Sequence, residues 1–286
     1  MANFDRARAL LREFKGERYL HGMGVLPRVG KAAAALGTRA ALVRDVFPGS
    51  DAFVKTLQGS LATAGLTLVG EIAGARPNAP REDLARITTG LAELEPEVIV
   101  SFGGGSTIDA TKAAEVLRTL GGDVEDTFGT GLVTRALADS GKKLTPHVAI
   151  QTAASSGAHL TKYSNVTDVA TGQKKLIVDE AIVPLRPVFD YKVTLGAPAS
   201  LTADGALDGV AHALEVLHEP VLCRLLCPGH RRASPPGRPP IPGSRVHAGG
   251  RGPLGRARAG PGRGRSDDRL REAHRFPDHT EPGAGL

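Results

Sequence analysis

The sequence predicts an α/β chain: a parallel sheet flanked by helices, then the start of an all-helical segment, then a disordered tail rich in Gly, Pro and Arg. Three observations predict it. Short β-branched or apolar runs alternate with stretches of helical period up to about residue 190. One strand–helix junction carries three consecutive glycines, Gly103, Gly104 and Gly105. From Leu222 onward apolar periodicity disappears, and the remaining residues hold 12 Gly, 10 Pro and 13 Arg. That composition buries too little apolar surface to offset chain entropy.

The elements follow in order. Gly24 to Leu36 reads as a helix ending at Gly37, and Arg39 to Val43 as a strand followed by Arg44 and Asp45. Ser50 to Ala64 is helical in pattern, Leu66 to Ile72 is a strand, and Arg76 to Pro80 (RPNAP) is a loop. Between Glu82 and Leu94, residues Leu84, Ile87, Leu91 and Leu94 share one helical face. Val98 to Val100 is a β-branched run suited to a strand buried on both faces. Ser106 to Ala114 (STIDATKAA) opens the next helix, with Ser106 or Thr107 as its N-cap. Gly121 to Lys143 is polar and ambiguous, and Thr145 to Thr152 is again a strand. Ala153 to Gly157 is a loop of small residues. Lys162 to Val166 and Lys174 to Val178 form a hairpin, and Pro187 to Asp190 is a last short strand. Ser200 to Leu217 is helical. The expected divisions are 1–196 as the α/β domain, 197–221 as the first helix of an incomplete helical domain and 222–286 as the tail.

Charge and composition exclude several classes. No apolar run approaches the roughly 20 residues that span a bilayer. The N-terminus mixes charges and lacks the apolar core of a signal peptide, so a cytoplasmic, non-membrane protein is expected. Cys223 and Cys227 alone make neither a disulfide framework nor a four-ligand zinc site. The net charge of +6 is uneven: from Leu222 onward there are 13 Arg, no Lys and 5 Asp or Glu, whereas the rest holds 23 basic and 25 acidic residues. The body therefore carries no nucleic-acid footprint, and nucleic acid is expected as a partner only through the basic tail. Lysine vanishes just where arginine, glycine and proline rise. That pattern marks GC-rich DNA read in another frame, beginning between Glu219 and Arg224; the rival is a genuine basic tail.

Two stretches carry chemistry. A strand, a glycine turn and a helix start present unpaired backbone N–H groups and the positive end of a helix dipole to an anion. The turn is not a GxGxxG fingerprint, because Ile108 stands at the third glycine position; a tight turn that binds nothing is the alternative. Farther on, Asp208 and His212 lie four residues apart and face one way on a helix. A carboxylate and an imidazole suit Fe(II), Zn or another divalent ion. A first-turn dipole partner and a satisfied core histidine are the alternative, and two ligands do not complete a site.

Taken together, Pro77-Asn78-Ala79-Pro80, Gly103-Gly104-Gly105-Ser106 with Asp109 and Lys112, Thr152 to Thr161, Lys174 to Val178, and Asp208, His212 and Glu215 resemble the iron-containing alcohol dehydrogenase family over residues 20 to 220. The resemblance implies a Rossmann-like nucleotide-binding domain and a helical domain, with a nicotinamide cofactor and a divalent metal between them. It places Gly104, Gly105 and Ser106 on the diphosphate and Asp45 on the adenosine ribose. It makes Asn78, Asp109, Thr152, Thr161 and Lys175 further cofactor contacts, and Asp208 and His212 the first two metal ligands. The charge of Asp45 disfavours a 2′-phosphate, so NAD is expected over NADP, with Arg44 beside it as the counter-indication. No side chain beyond the metal site is assigned a catalytic role.

The family's two further histidine ligands have no recognisable counterpart here, since His230, His247, His274 and His279 fall in the aberrant tail. Ala153 to His159 also departs from the family's TAGTGSE-like run, with His159 where a glutamate is common. The expected activity is metal-assisted hydride transfer between a small alcohol or aldehyde and NAD, weakened by the loss of helical domain in a truncated or frame-shifted chain. A homo-oligomer is compatible with the family fold. A glycerol dehydrogenase or dehydroquinate synthase-like enzyme on the same scaffold is one alternative. A non-catalytic nucleotide-binding remnant with a nucleic-acid-binding tail is another.

Overall fold

The buried strands explain why one sheet carries two helical layers. In the strand of residues 39–44, Ala40 and Leu42 join one apolar cluster while Ala41 and Val43 join another. In the strand of residues 98–103, Val98, Val100 and Phe102 face the first cluster and Ile99 the second. Side chains alternate across a strand, so runs apolar at every position need cover on both faces.

A computed structural model describes residues 2–226, residue 156 apart. The chain runs through α1 (Ala2–Lys15), β1 (Leu20–Gly22), α2 (Val29–Ala34), β2 (Arg39–Arg44), α3 (Ser50–Thr63), β3 (Thr67–Ala73), α4 (Arg81–Leu94), β4 (Val98–Gly103) and α5 (Gly105–Leu120). It continues through β5 (Gly129–Thr130), α6 (Leu132–Ser140), β6 (His147–Gln151), β7 (Tyr163–Asp168), β8 (Gln173–Val178), β9 (Arg186–Asp190), α7 (Tyr191–Thr194) and α8 (Ala199–Leu226). Six strands form a sheet in the order β1-β9-β6-β4-β2-β3, with every pairing parallel. The hairpin β7–β8 and β5 make a second, three-stranded sheet.

Helices α2 and α3 supply Val29, Leu57 and Leu61 to one layer, and α4 and α5 supply Leu84, Ile87, Leu91, Ala110, Ala113 and Ala114 to the other. Full burial of a Leu or Ile contributes about 1.5–3 kcal/mol, so these two layers dominate the stability of the domain. Because all six strands run the same way, their carboxyl ends share one edge, and the chain leaves that edge at Asp45, Gly104, Thr152 and Tyr191.

The α/β class, the parallel sheet and the hairpin match expectation. Several details differ. The first expected helix starts as a tight 3-10 turn, Leu26–Arg28, with Pro27 inside it, and only Val29–Ala34 is α-helical. The cap of α5 is Gly104, not Ser106 or Thr107, and Gly105 is already helical. The ambiguous polar stretch contains α6, set between Gly131 and Gly141, which both adopt positive φ. The expected helix over 200–217 extends as α8 to Leu226, past Leu222, where the tail was expected to begin. The expectations for 227–286 lie outside the described residues. Among those described, no helix is long and apolar enough to cross a membrane.

Candidate functional site

At the carboxyl edge of the sheet lies a cavity of about 920 Å³, lined by the turns after β2, β3, β4 and β6 and by the α7–α8 segment. It is where an open parallel sheet binds ligands. Gly104, Gly105 and Ser106 form its floor, and Thr152 and Ala153 one wall. As the first residues of α5, Gly105, Ser106 and Thr107 have no acceptor one turn back for their N–H groups. Three donors and the positive end of a 16-residue helix thus meet the cavity.

Asp45 organises this turn. Its backbone N–H donates to Phe102 O at 2.9 Å, extending the β2–β4 ladder by one step. Its carboxylate accepts the Gly104 N–H at 2.9 Å and the Thr107 hydroxyl. Burial pushes the Asp45 carboxyl above its ordinary range, while Thr107 and the Gly104 N–H pull it down. Thr107 Oγ1 also accepts the Ala75 N–H at 2.8 Å, so one hydroxyl ties three turns together. Gly74 and Gly103 permit this: a Cβ on either would overlap Asp45 and Thr107.

The RPNAP loop is pinned beside the turn. Asn78 N–H donates to Ser106 Oγ at 3.0 Å, and Asn78 O accepts the Thr167 hydroxyl at 2.7 Å. Asn78 and Ala79 both have positive φ, 68° and 48°. That conformation is sparsely populated, more so for Ala than for Asn, and marks stored backbone strain at the site.

Asp45, Gly104, Gly105, Ser106 and Thr152 therefore line one cavity, with Asn78 bonded to its floor. Three other expected cofactor residues sit differently. Asp109 is buried behind the turn: its Oδ2 accepts the Asn165 N–H at 3.1 Å, and its Oδ1 lies 3.6 Å from Lys112 Nζ. Thr161 contributes its carbonyl to Lys112 at 3.0 Å. Lys175 is paired with Glu125 at 2.6 Å and lies over the Phe128 ring. None of the three lines the cavity. Sequence reasoning read Thr107 only as a helix cap and passed over Gly74 and the pair Phe47 and Phe53, which together line or brace the cavity. Glycine after a strand end was the only available signal for Gly74; the others emerge from contacts between turns.

Asp208 and His212 do share one face of α8, with Nε2 3.4 Å from Oδ1, and His212 Nδ1 is 3.9 Å from Glu215 Oε2. Both side chains of the first pair are about half exposed. Among the described residues, no group of three or more His, Cys, Asp or Glu is assembled to hold a metal. The described donors therefore do not fit a complete centre for Fe(II), Zn or a similar ion. Packing brings α8 close to the Ala153–Ser155 wall, since a Cβ on Gly205 would overlap the backbone of Ala154. The outer face of α8 leaves Leu207, Val210 and Leu214 exposed.

The model of the iron-containing alcohol dehydrogenases matches residues 16–191. The chain belongs to this family. Among its curated relatives, the sulfoacetaldehyde reductase of Bilophila wadsworthia is 28% identical over 70% of this chain and 50% of its own length. The NAD-dependent methanol dehydrogenase of Bacillus methanolicus is 29% identical, covering 68% and 49%. The crystal structure of a 1,3-propanediol oxidoreductase superposes with a TM-score of 0.62 at 27% identity, covering 68% of this chain and 50% of that one. The chain thus spans about half the length of the curated relatives it matches. The family match covers the sheet, the glycine turn and the cavity floor, and it ends where α7 begins.

Proposed function

We propose that this chain binds NAD(H) in the cavity at the carboxyl edge of its sheet and serves a dehydrogenase of small alcohols or aldehydes. The observation that carries the reading is the joining of the glycine turn, the free N-terminal donors of α5 and the Asp45 carboxylate at one cavity. The diphosphate would lie over Gly105 and Ser106, and the adenosine would lie toward Asp45 and the Phe47–Phe53 side. Bound there, the dinucleotide supplies the hydride chemistry; the chain orients it.

The preference for NAD over NADP rests on charge. Arg44 Nε donates to Glu71 at 2.9 Å and Nη1 to Asp51 at 2.8 Å. Arg76 is paired with Asp83 at 3.1 Å and Glu82 at 3.7 Å. Both rim arginines already face carboxylates, so a 2′-phosphate would find Asp45 and, among the described residues lining the cavity, no unpaired guanidinium. The names of the relatives support small alcohols or aldehydes as substrates. Asp208 and His212 would supply two ligands toward a metal, and no step is assigned to them.

Titration of the purified chain with NADH and NADPH, followed by cofactor fluorescence, tests this proposal. We expect NADH to bind at least about tenfold more tightly, a difference of roughly 1.4 kcal/mol. The double variant Asp51→Asn/Glu71→Gln, which frees Arg44, should narrow that gap. Absence of NADH binding at millimolar concentration would refute the cofactor reading, and equal affinities would refute the preference.

A further inference from the structure

Lys112 is the one lysine of α5, and its side chain is wholly buried. Its Nζ donates to three backbone carbonyls on a single segment: Ala158 at 2.7 Å, Thr161 at 3.0 Å and Tyr163 at 2.7 Å. An ammonium has three donors, and here all three are spent on one stretch of chain. Asp109, one helical turn away, provides the opposite charge at 3.6 Å and reaches the same stretch through Asn165 N–H. The Ser164 hydroxyl donates to Asp109 O at 2.7 Å.

This segment is the continuation of the cavity wall. Thr152 and Ala153 line the cavity. Gln151 Nε2 fixes the near end through Ala153 O at 2.8 Å and Ser155 Oγ at 3.2 Å. Ala158 returns against the glycine turn, 3.8 Å from where a Cβ of Gly105 would stand. Burial of a charge is costly unless it is paired and hydrogen-bonded. A lysine so completely engaged has been placed for its grip on what it holds.

We propose that Lys112, with Asp109 as its counter-charge, is a positioning residue that moors segment 158–163 to α5 and thereby sets the shape of the dinucleotide-binding wall. The inference deepens the NAD(H) reading and rests on it for the ligand. It also reassigns the DxxK half of the glycine-turn motif: its two charges act behind the wall and do not touch the cofactor.

The mooring has a proton signature. Burial lowers the Lys112 ammonium to about 8, against the pull of Asp109, and Lys15 from α1 lowers it further. His147 on β6 and His159 on the wall segment also sense its charge. In an opened segment Lys112 would return to its ordinary value near 10.5. Opening therefore takes up a proton between about pH 8 and 10.5, and the closed segment gains on the open one as pH rises through that window.

The test combines NADH titration with amide hydrogen exchange of residues 153–165, corrected for intrinsic exchange. In Lys112→Met, exchange of this segment should accelerate at least tenfold while β4 stays protected, and NADH should bind at least tenfold more weakly. The wild-type segment should become better protected from pH 8 to 10, and the variant should show no such trend. Should Lys112→Met fail to fold, Asp109→Asn serves: it removes the charge that holds the Lys112 proton in the closed segment, and the rise in protection should begin at lower pH. Unchanged exchange in Lys112→Met, or an unmoved pH window in Asp109→Asn, overturns the mooring whether or not NADH binds. A wild-type chain that binds no NADH, with faster exchange in Lys112→Met, refutes the cofactor reading and supports the mooring.

Discussion

Lowering the pH from 7 to 5 is expected to withdraw roughly 4 kcal/mol of stability that two buried histidines carry. His147 is buried at the start of β6, its Nε2 2.7 Å from Ser101 Oγ. His159 is buried in the segment that continues the cavity wall, its Nε2 3.2 Å from the Tyr19 hydroxyl, and its Nδ1 has no hydrogen-bond partner among the described residues. Burial, reinforced by the Lys112 charge, lowers each imidazole to about 3. The unfolded chain takes up these protons near 6.5. Stability is therefore complete above 6.5 and falls as pH drops toward 3. At pH 5 each histidine has cost about 2 kcal/mol, roughly 4 kcal/mol for the pair. Asp45 and Asp109, whose carboxyls burial pushes up, act in the opposite direction. The imidazole contribution is therefore read by difference. Urea unfolding between pH 7.5 and 5 should show a loss about 2 kcal/mol smaller in His147→Gln, whose amide keeps a partner for Ser101, than in the wild-type chain. Parallel curves for the two proteins would contradict it.

Replacing Gly74 by Ala is expected to remove most of the cofactor affinity. The residue follows β3, and its N–H donates to Arg44 O at 2.6 Å, so it crosses directly over the end of β2. A methyl group there overlaps Asp45 Oδ1 and lies 3.0 Å from Arg44 O. The Asp45–Thr107 tie must open, and with it the placement of the glycine turn. Overpacking of this kind costs about 1–3 kcal/mol. NADH affinity should fall at least about tenfold, roughly 1.4 kcal/mol. Gly59 on α3 is the control. A Cβ there meets nothing within 4 Å, and Ala at a helical glycine gains about 0.5–1 kcal/mol. If both variants bind NADH like the wild type, Asp45 does not organise the site.

The sheet was legible because burial on two faces writes itself as uninterrupted apolar runs, as in AALV of β2 and VIV of β4. The helices α3 and α4 were legible from one apolar stripe each. By contrast α1 went unread among mixed charges, although Phe4, Ala7, Leu11 and Phe14 recur at helical spacing, β1 is only three half-buried residues, and α6 hides between glycines in a polar stretch. The site divides the same way. The glycine turn and Asp45 are local features, a strand end meeting a helix start. Thr107 bridging two other turns, Gly74 under Arg44, and Lys112 reaching across to Ala158 depend on segments distant in sequence, and no local pattern encodes them. Asp109 and Lys175 show the converse: the motif positions are present, while their charges are engaged by Lys112 and Glu125 away from the cavity.

The pairing of β1 with β9 also sets a timetable. Leu20 lies opposite Val188 and Gly22 opposite Asp190, so the first strand of the sheet finds its neighbour only when the last has been made. At roughly 5–20 residues per second of synthesis, that wait is on the order of ten to thirty seconds. Strands β2, β3 and β4 can assemble on the ribosome meanwhile, whereas Tyr19 and His21 stay unplaced until β9 emerges. Completion of the domain is therefore a late, long-range closure, and a chain released before residue 190 would carry a finished centre and an unpaired first strand.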